Sequence, residues 1–137
     1  MFRLYIIRGL PGSGKSTIAK QLSSTCFEAD DYFTNSKGEY NFNPNQIKDA
    51  HQYCYKNVRD AMLLGICSIC VANTFTRRWE YIDYVQLADE FDYSVTIIEC
   101  HGDHGNIHGA PSEVVEKMRE RWEPTSELDY LYRKDSI

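Results

Sequence analysis

This chain of 137 residues lacks three features that would assign it to common protein classes: surplus positive charge, an even set of cysteines and a long apolar run. Its 15 Lys and Arg are outnumbered by 20 Asp and Glu, which argues against a protein that coats duplex nucleic acid or anionic membrane. Its 5 cysteines are an odd number, whereas a disulfide-stapled secreted scaffold usually has an even one. No stretch approaches the roughly 18 apolar residues of a membrane span, and the N-terminal apolar run is too short for a signal peptide. The sequence therefore favours a soluble, cytoplasmic protein.

What the chain does contain is enough apolar material for a core. Hydrophobic residues make up 42% and aromatic residues 13% of the sequence, which argues against disorder. The length fits one domain of ordinary size, and no linker, repeat or low-complexity tract divides the chain. We therefore expect residues 1–137 to form a single domain.

Short apolar runs alternate with amphipathic segments along the chain, a pattern typical of a parallel sheet with helices on both faces. The sequence thus predicts an α/β fold, a three-layer sandwich with a short, mainly parallel sheet. A polar, turn-rich loop is predicted at 30–43. Strands are predicted at 4–8, 26–29, 66–71 and 94–100, and helices from about 13 to 22, 44 to 64, 77 to 91 and 111 to 122.

The segment from Gly9 to Ser16 matches G-x-x-x-x-G-K-[ST], the pattern of a phosphate-binding loop between a strand and a helix. Its glycines let backbone N–H groups turn towards a phosphate, and the helix N-terminus adds its positive dipole. Lys15 would reach the β- and γ-phosphates, and the Ser16 hydroxyl would ligate Mg²⁺. The sequence therefore predicts ATP and Mg²⁺ as cofactors. The residues expected to bind them are Gly9, Pro11, Gly12, Ser13, Gly14, Lys15, Ser16 and Thr17.

Asp30 and Asp31 follow the second predicted strand. Ligands of open α/β sheets bind outside the carboxyl ends of the strands, so we expect these carboxylates near the phosphate loop. A carboxylate there can accept the proton of a hydroxyl that attacks the γ-phosphorus, although such pairs without a phosphate loop are more often helix caps. Lys15, Asp30 and Asp31 are thus the candidate catalytic residues, and Ser16 and Asp30 are the candidate metal ligands.

The segment 8–17, together with Ala29-Asp30-Asp31-Tyr32, resembles the polynucleotide 5′-kinase branch of the P-loop kinases, which includes phage polynucleotide kinase and zeta-toxin-like AAA-type ATP-binding domains. The resemblance implies that Lys15 and Ser16 hold phosphates and metal, and that Asp30 is the general base for a 5′-hydroxyl. It extends to about Pro124 through Ala50-His51, Asn73-Thr74, Thr76, Trp79-Glu80 and the segment 106–111.

The chain departs from this family pattern at three positions. Ala72 follows the third strand where relatives often carry an Asp, which would support Mg²⁺. Phe33 stands where an acceptor-contacting Arg is expected, and Gly105 occupies the lid arginine position in a much shortened lid. Catalytic cations must then come from elsewhere, and the candidates are Arg77, Arg78, Arg119 and Arg121.

Several other groups of residues fit structural roles better than functional ones. Cys67 and Cys70 have the spacing of half a zinc site but lie in an apolar strand, on opposite faces. His51 has the spacing of a core residue, although its helix could also place it at an acceptor pocket. The aromatic residues Tyr40, Phe42, Tyr53 and Tyr55 could stack on a base, but core packing is the more common role. A loop cluster of His101, Asp103, His104 and His108 lacks visible supporting residues for a metal.

These observations favour an ATP-dependent kinase that phosphorylates a hydroxyl, with the 5′-hydroxyl of a polynucleotide end as the leading acceptor. One alternative is a kinase of a nucleoside, nucleotide or other small molecule, which the acidic charge and Phe33 favour. A second alternative is an ATP-binding regulatory module with little transferase activity, which the missing carboxylate and reduced lid make credible.

Overall fold

A computed structural model, which describes residues 1–103 and 110–131, shows a parallel sheet as the framework of the chain. The central strand β1 pairs in parallel with β3 on one side and with β4 on the other, so that Arg3 lies beside both Ser68 and Ser94. The strands are β1 (Arg3–Gly9), β2 (Cys26–Phe27), β3 (Ser68–Asn73) and β4 (Ser94–Cys100), in the order β2-β3-β1-β4. The predicted α/β class is confirmed.

Helices connect these strands, as parallel pairing requires. The α-helices are α1 (Lys15–Leu22), α2 (Ile47–Leu63), α3 (Ile82–Glu90) and α4 (Ser112–Glu120). Short 3-10 helices lie at Ala29–Phe33, Pro44–Gln46, Arg78–Glu80 and Glu127–Leu131. None of the helices within 1–103 and 110–131 combines the length and apolar character that a bilayer span needs.

The sheet has a hydrophobic core on each of its faces. Successive side chains of β1 point in opposite directions and therefore enter different cores. Leu4 and Ile6 pack in the larger core with residues of α2 and α3, including Val58 and Leu87. Ile7 packs in a smaller core on the other face, where α1 contributes Ala19. Helices therefore cover both faces, and the predicted three-layer arrangement is confirmed.

The predicted boundaries of two strands are wrong. The strand predicted at 26–29 ends at Phe27, because the Glu28 and Asp31 side chains form a capping box that starts a 3-10 helix inside the predicted loop. The strand predicted at 66–71 instead runs from Ser68 to Asn73. Its start is delayed because Gly65 ends α2 with a φ of 74° and the Ile66 N–H bonds back to that helix.

Three predicted helices are shorter than their apolar patterns. Proline at residue 44 starts a 3-10 turn, and the regular helix begins only at Ile47. The helix predicted at 77–91 is likewise divided into the 3-10 turn Arg78–Glu80 and α3, and the last helix ends at Glu120 rather than at residue 122. Apolar periodicity continues through 3-10 turns, so it overestimates α-helix length.

The residues after α4 are attached to the sheet by Arg8, a fully buried arginine of β1. Its guanidinium carbon lies 4.5 Å from the ring centre of Tyr81 and 4.4 Å from that of Trp122. The same group donates hydrogen bonds to the Phe75 carbonyl (2.9 Å), the Glu123 carbonyl (2.6 Å) and Thr125 Oγ1 (2.6 Å). Arg8 therefore joins the strand that precedes the phosphate loop to the C-terminal part of the described chain.

Candidate active site

The phosphate loop has the backbone conformation that the glycine pattern predicts. Gly12 and Gly14 have φ values of 82° and 93°, in the left-handed region that other residues rarely adopt. At Gly9 the limit is space, since an added Cβ would lie 2.2 Å from Ser13 Oγ and 2.8 Å from the Cys100 carbonyl oxygen. The loop is thus folded tightly at the carboxyl ends of β1 and β4.

The last two residues of the loop, Lys15 and Ser16, direct their polar side chains to the interior of the loop and to the segment after β2. Lys15 Nζ donates a hydrogen bond to the Leu10 carbonyl at 3.3 Å. Burial lowers the pKa of Lys15, and the negative charges of Glu28 and Asp30 act in the opposite direction. Ser16 Oγ donates to Glu28 Oε1 at 2.8 Å, which places a carboxylate beside the hydroxyl that was predicted to bind Mg²⁺.

The segment after β2 places its three carboxylates in three different environments. Glu28 is partly buried, and its pKa is raised by this burial even though the bond from Ser16 favours the charged form. Asp30 Oδ1 accepts a hydrogen bond from the Tyr40 hydroxyl at 3.1 Å, and burial beside this carboxylate raises the pKa of Tyr40 to about 12. Asp31 is exposed, and its Oδ2 accepts from the Glu28 backbone N–H at 3.0 Å. Glu28 and Asp30 therefore face the site, whereas Asp31 shapes the turn between them.

A cleft of about 700 Å³ joins the phosphate loop to this acidic segment. One part of its wall is polar and contains Lys15, Ser16, Glu28 and Asp30. The other part is largely apolar and includes side chains from α2, α4 and the loop before α2. Its members are Phe33, Tyr40, Phe42, Pro44, Ile47, Pro111, Val114 and Met118.

Most predicted loop residues line this cleft, and two contribute in another way. Pro11, Gly12, Gly14, Lys15, Ser16 and Thr17 are part of its wall. Gly9 and Ser13 lie behind it, where they allow the loop to fold tightly. His51 is exposed and lines the cleft, so the prediction of a core histidine is wrong, and its role at an acceptor pocket stays a prediction.

The four arginines predicted as replacement cations lie elsewhere in the described chain. Arg78 pairs with Asp129 and Glu123, and Arg121 donates to Thr76 Oγ1 at 3.0 Å. Arg119 pairs with Glu116 on the surface, and Arg77 is exposed. None of them is among the described residues of the cleft wall. The predicted lid position Gly105, with His104 and His108 of the loop cluster, lies outside the described residues.

The aromatic and cysteine candidates are divided between the cleft, the core and the surface. Tyr40 and Phe42 line the cleft with nearly parallel rings, 11° apart, whereas Tyr55 packs against Tyr84 of the core. Tyr53 contacts Tyr32 edge-on. Cys67 is exposed and Cys70 is buried, and both are free thiols.

Sequence reasoning assigned no role to two residues that organise the site. Glu28 belongs to no motif in the pattern, and only its position two residues before Asp30 could have drawn attention to it. Asn73, at the end of β3, uses its side-chain oxygen to accept the Ala29 backbone N–H at 2.8 Å. Asn73 is buried, and this bond joins the start of the acidic segment to the end of β3.

The residues present fit a nucleotide and its metal ion. The left-handed conformations of Gly12 and Gly14 and the Lys15 ammonium at the cleft wall suit a phosphate group. Oxygen ligands from Ser16 and a carboxylate suit Mg²⁺, which usually binds one or two carboxylates together with substrate phosphates. In residues 1–103 and 110–131, no three His, Cys, Asp or Glu side chains form a metal-binding group by themselves. The chemistry thus fits a metal that arrives with the nucleotide.

The fold and the phosphate loop define a P-loop protein with a parallel sheet. The sequence matches the AAA domain family AAA_33 over residues 4–109, and the chain therefore belongs to this family. It is also 31% identical over 134 residues to human NEDD4-binding protein 2, an alignment that covers 88% of this chain. The chain spans only 8% of the length of that relative.

Solved structures share the fold at low sequence identity. A gluconokinase from Sinorhizobium meliloti 1021 superposes with a TM-score of 0.59 and 13% identity, covering 89% of this chain and 75% of the other. A chain of the Pnkp1/Rnl/Hen1 complex superposes with a TM-score of 0.56 and 22% identity, covering 91% of this chain and 40% of the other. These structures share the fold of this chain, and its family is the AAA domain family.

Proposed function

We propose that this protein transfers the γ-phosphoryl group of ATP to a hydroxyl, with the 5′-hydroxyl of a polynucleotide end as the leading acceptor. The observation that carries the proposal is the cleft, which joins a phosphate loop to a carboxylate and leaves about 700 Å³ for two substrates. The AAA domain family and the kinase fold support ATP-dependent phosphotransfer in general. The polynucleotide acceptor is supported by the resemblance of residues 8–17 and 29–32 to the polynucleotide 5′-kinase branch.

The phosphate loop supplies the charge stabilisation that phosphoryl transfer requires. Because the transition state is loose, the protein acts mainly by positioning the phosphates and stabilising their charge. The loop amides and the Lys15 ammonium are arranged for this, and partial burial strengthens their electrostatic effect. Bound Mg²⁺ would neutralise part of the phosphate charge, with Ser16 and a neighbouring carboxylate as its protein ligands.

Asp30 is the carboxylate best placed to receive the acceptor proton. As the acceptor oxygen forms its bond to the γ-phosphorus, the bond from that phosphorus to the ADP oxygen breaks, and the hydroxyl proton passes to the Asp30 carboxylate. The Tyr40 hydroxyl orients this carboxylate by donating to Oδ1. The raised pKa of Tyr40, about 12, keeps it a neutral donor at physiological pH.

The apolar part of the cleft suits the planar, weakly polar surface of a terminal nucleoside. Phe42 is 52% exposed and Ile47 44% exposed, although both are large apolar side chains, and both line the cleft. Exposed apolar groups around a concave site are typical of a ligand surface. Aromatic rings such as Phe42 can stack on a base without selecting its sequence.

A small-molecule acceptor is the second candidate, and the charge of the cleft favours it. Lys15 is the only Lys or Arg among the described residues of the cleft wall, and the phosphate loop commits it to the nucleotide. The wall therefore offers no further described lysine or arginine for the phosphates of a polynucleotide backbone. A nucleoside or another neutral hydroxyl compound needs none.

An acceptor screen with γ-labelled ATP distinguishes the two. We expect label on short RNA or DNA oligonucleotides with a free 5′-hydroxyl, and no label on the same oligonucleotides carrying a 5′-phosphate. Nucleosides, nucleotides and sugars form the second panel. Transfer to that panel alone would replace the polynucleotide proposal with the small-molecule one, and ATP binding without transfer to any acceptor would leave a regulatory nucleotide-binding module.

Replacing Asp30 with asparagine should lower kcat by about 10²-fold, at the low end of the range for general bases, because a loose transition state needs little proton removal. ADP affinity should change little, since the amide oxygen can still accept the Tyr40 hydrogen bond. The measurement is steady-state transfer to the acceptor that the screen identifies. Asp49→Asn on the exposed face of α2 is the control for charge removal. Full turnover by Asp30→Asn would remove the base assignment.

A further inference from the structure

The protein lacks a carboxylate where β3 meets the phosphate loop, the position from which P-loop enzymes commonly hold the metal. Ala72 occupies that level of the strand, and its buried methyl side chain lines the cleft. No oxygen can reach a metal from this side chain. A metal that binds with the nucleotide must find its carboxylate on another element.

Glu28 is the first residue after the neighbouring strand β2 and lies at the level of Ala72. β2 and β3 pair in parallel with Cys26 beside Cys70 and Phe27 beside Val71, so the next residue of the chain, Glu28, comes beside Ala72. The Asn73 side chain holds the backbone immediately after Glu28. The Glu28 carboxylate is therefore one strand away from the position of Ala72, but at the same distance from the carboxyl edge of the sheet.

The Glu28 side chain points to the correct group. Its Oε1 lies 2.8 Å from Ser16 Oγ, the hydroxyl of the phosphate loop that is placed to bind the metal. Glu28 lines the cleft and its charge acts on Lys15, so the carboxylate is near the phosphate-binding side chains.

The other carboxylates of the segment are used differently. Asp30 accepts the Tyr40 hydroxyl, and Asp31 accepts the Glu28 backbone N–H within its own turn. Two carboxylates in one cleft with separate partners can perform separate tasks. Glu28 beside Ser16 suits a cation, and Asp30 suits the acceptor proton.

We propose that Glu28 is the metal-binding carboxylate of this site, which holds the divalent cation of the bound nucleotide together with Ser16 and replaces the carboxylate that is missing at Ala72. The inference rests on the proposed function, since it assumes a nucleotide in the phosphate loop. Mg²⁺ fits because it needs only one or two protein carboxylates when substrate phosphates supply further oxygens.

Metal and nucleotide affinities test this without measuring turnover. Mn²⁺ is titrated into the full chain saturated with ADP, and bound metal is followed by its paramagnetic resonance signal. Glu28→Gln should weaken Mn²⁺ binding by about 10-fold or more, the scale on which metal sites respond to loss of a supporting group. In EDTA the same variant should bind ADP as well as or better than the wild type, because the carboxylate that repels the phosphates is gone.

Two further variants make the result specific. Glu39→Gln removes the same charge from an exposed residue outside the cleft wall and should leave both affinities unchanged. Glu28→Cys should bind Cd²⁺ in preference to Mn²⁺, because a thiolate prefers soft metals. That change in preference requires the residue at 28 to touch the metal.

The outcomes separate the inference from the function. Mn²⁺ affinity in Glu28→Gln within about twofold of the wild type, or no gain of Cd²⁺ preference in Glu28→Cys, would overturn the metal role while nucleotide binding stands. If Glu28→Gln weakened ADP binding in EDTA as much as it weakened Mn²⁺ binding, Glu28 would only support the fold of the loop. This result would also overturn the metal role. A wild-type protein that binds no ADP with or without metal would overturn the proposed function, and this inference with it.

Discussion

Lys15→Met should lower the rate of phosphoryl transfer by about 10³-fold, the largest effect on activity that we expect from a single change in the cleft. Lys15 is the only lysine or arginine among the described residues of the cleft wall, so no second described one can take its place there. Its charge acts in a partly buried site, where it stabilises the transferring phosphates more strongly than it would in water. Methionine keeps most of the length and apolar stem but removes the charge.

The same substitution should leave the free energy of unfolding unchanged or slightly higher. Burial lowers the pKa of Lys15 relative to the unfolded chain, so its charge costs the fold free energy at neutral pH. This cost disappears only as the pH rises above the unfolded pKa. Single-turnover transfer and urea denaturation measure the two effects. Lys20→Met, on the exposed part of α1, is the control, and a Lys15→Met enzyme with more than one tenth of wild-type rate would contradict the assignment.

Arg8→Met should lower the free energy of unfolding by about 3–5 kcal/mol, which is the range for removing one partner of a buried charged network. Arg8 is fully buried, lies between two aromatic rings and donates to two backbone carbonyls and a threonine hydroxyl. Methionine fills much of the volume but leaves those acceptors without their donor. The Glu99 carboxylate, 3.5 Å from the Arg8 guanidinium, would also lose its charged partner.

Urea denaturation and amide hydrogen exchange check this prediction at two levels. Exchange should increase first in the residues around Trp122 and Thr125, because Arg8 is the side chain that attaches them to β1. Arg3→Met is the matched control on the same strand. Arg3 is partly exposed and donates to Thr96 Oγ1, so we expect a loss of about 1 kcal/mol or less. A loss of this small size in Arg8→Met would show that the other contacts of the segment hold it without Arg8, among them the Thr125 N–H bond to Glu99 and the bonds of Asp129 to Arg78 and Tyr81.

The phosphate loop was predictable because its chemistry is local. The backbone N–H groups that bind phosphate belong to consecutive residues, and the left-handed φ values of Gly12 and Gly14 follow from the missing side chain. The strand before the loop and the helix after it also follow from short-range patterns. The sequence of these elements is therefore enough to predict a phosphate-containing ligand without any knowledge of tertiary contacts.

Glu28 and Arg8 were not predictable in the same way. The residues near Glu28 in the sequence do not predict its hydrogen bond with Ser16, because that contact depends on β2 pairing with β3 in one particular register. The sequence predicts Arg8 only as the last residue of a buried strand. Its hydrogen-bond partners are more than sixty residues away along the chain, at Phe75, Glu123 and Thr125. The replacement arginines failed as predictions for the same reason, because Arg78 and Arg121 are bound to partners that only the fold brings near.

The sequence by itself determined the α/β class and the phosphate loop, since each depends on residues close together in the chain, and it predicted Asp30 near that loop. The tertiary structure decided how the acidic segment divides its tasks: Glu28 lies beside Ser16, Asp30 beside Tyr40, and Asp31 bonds within its own turn. It also decided which cations reach the cleft. The physical reason is that strand register and side-chain packing set contacts between distant residues, and a local pattern contains no information about that register.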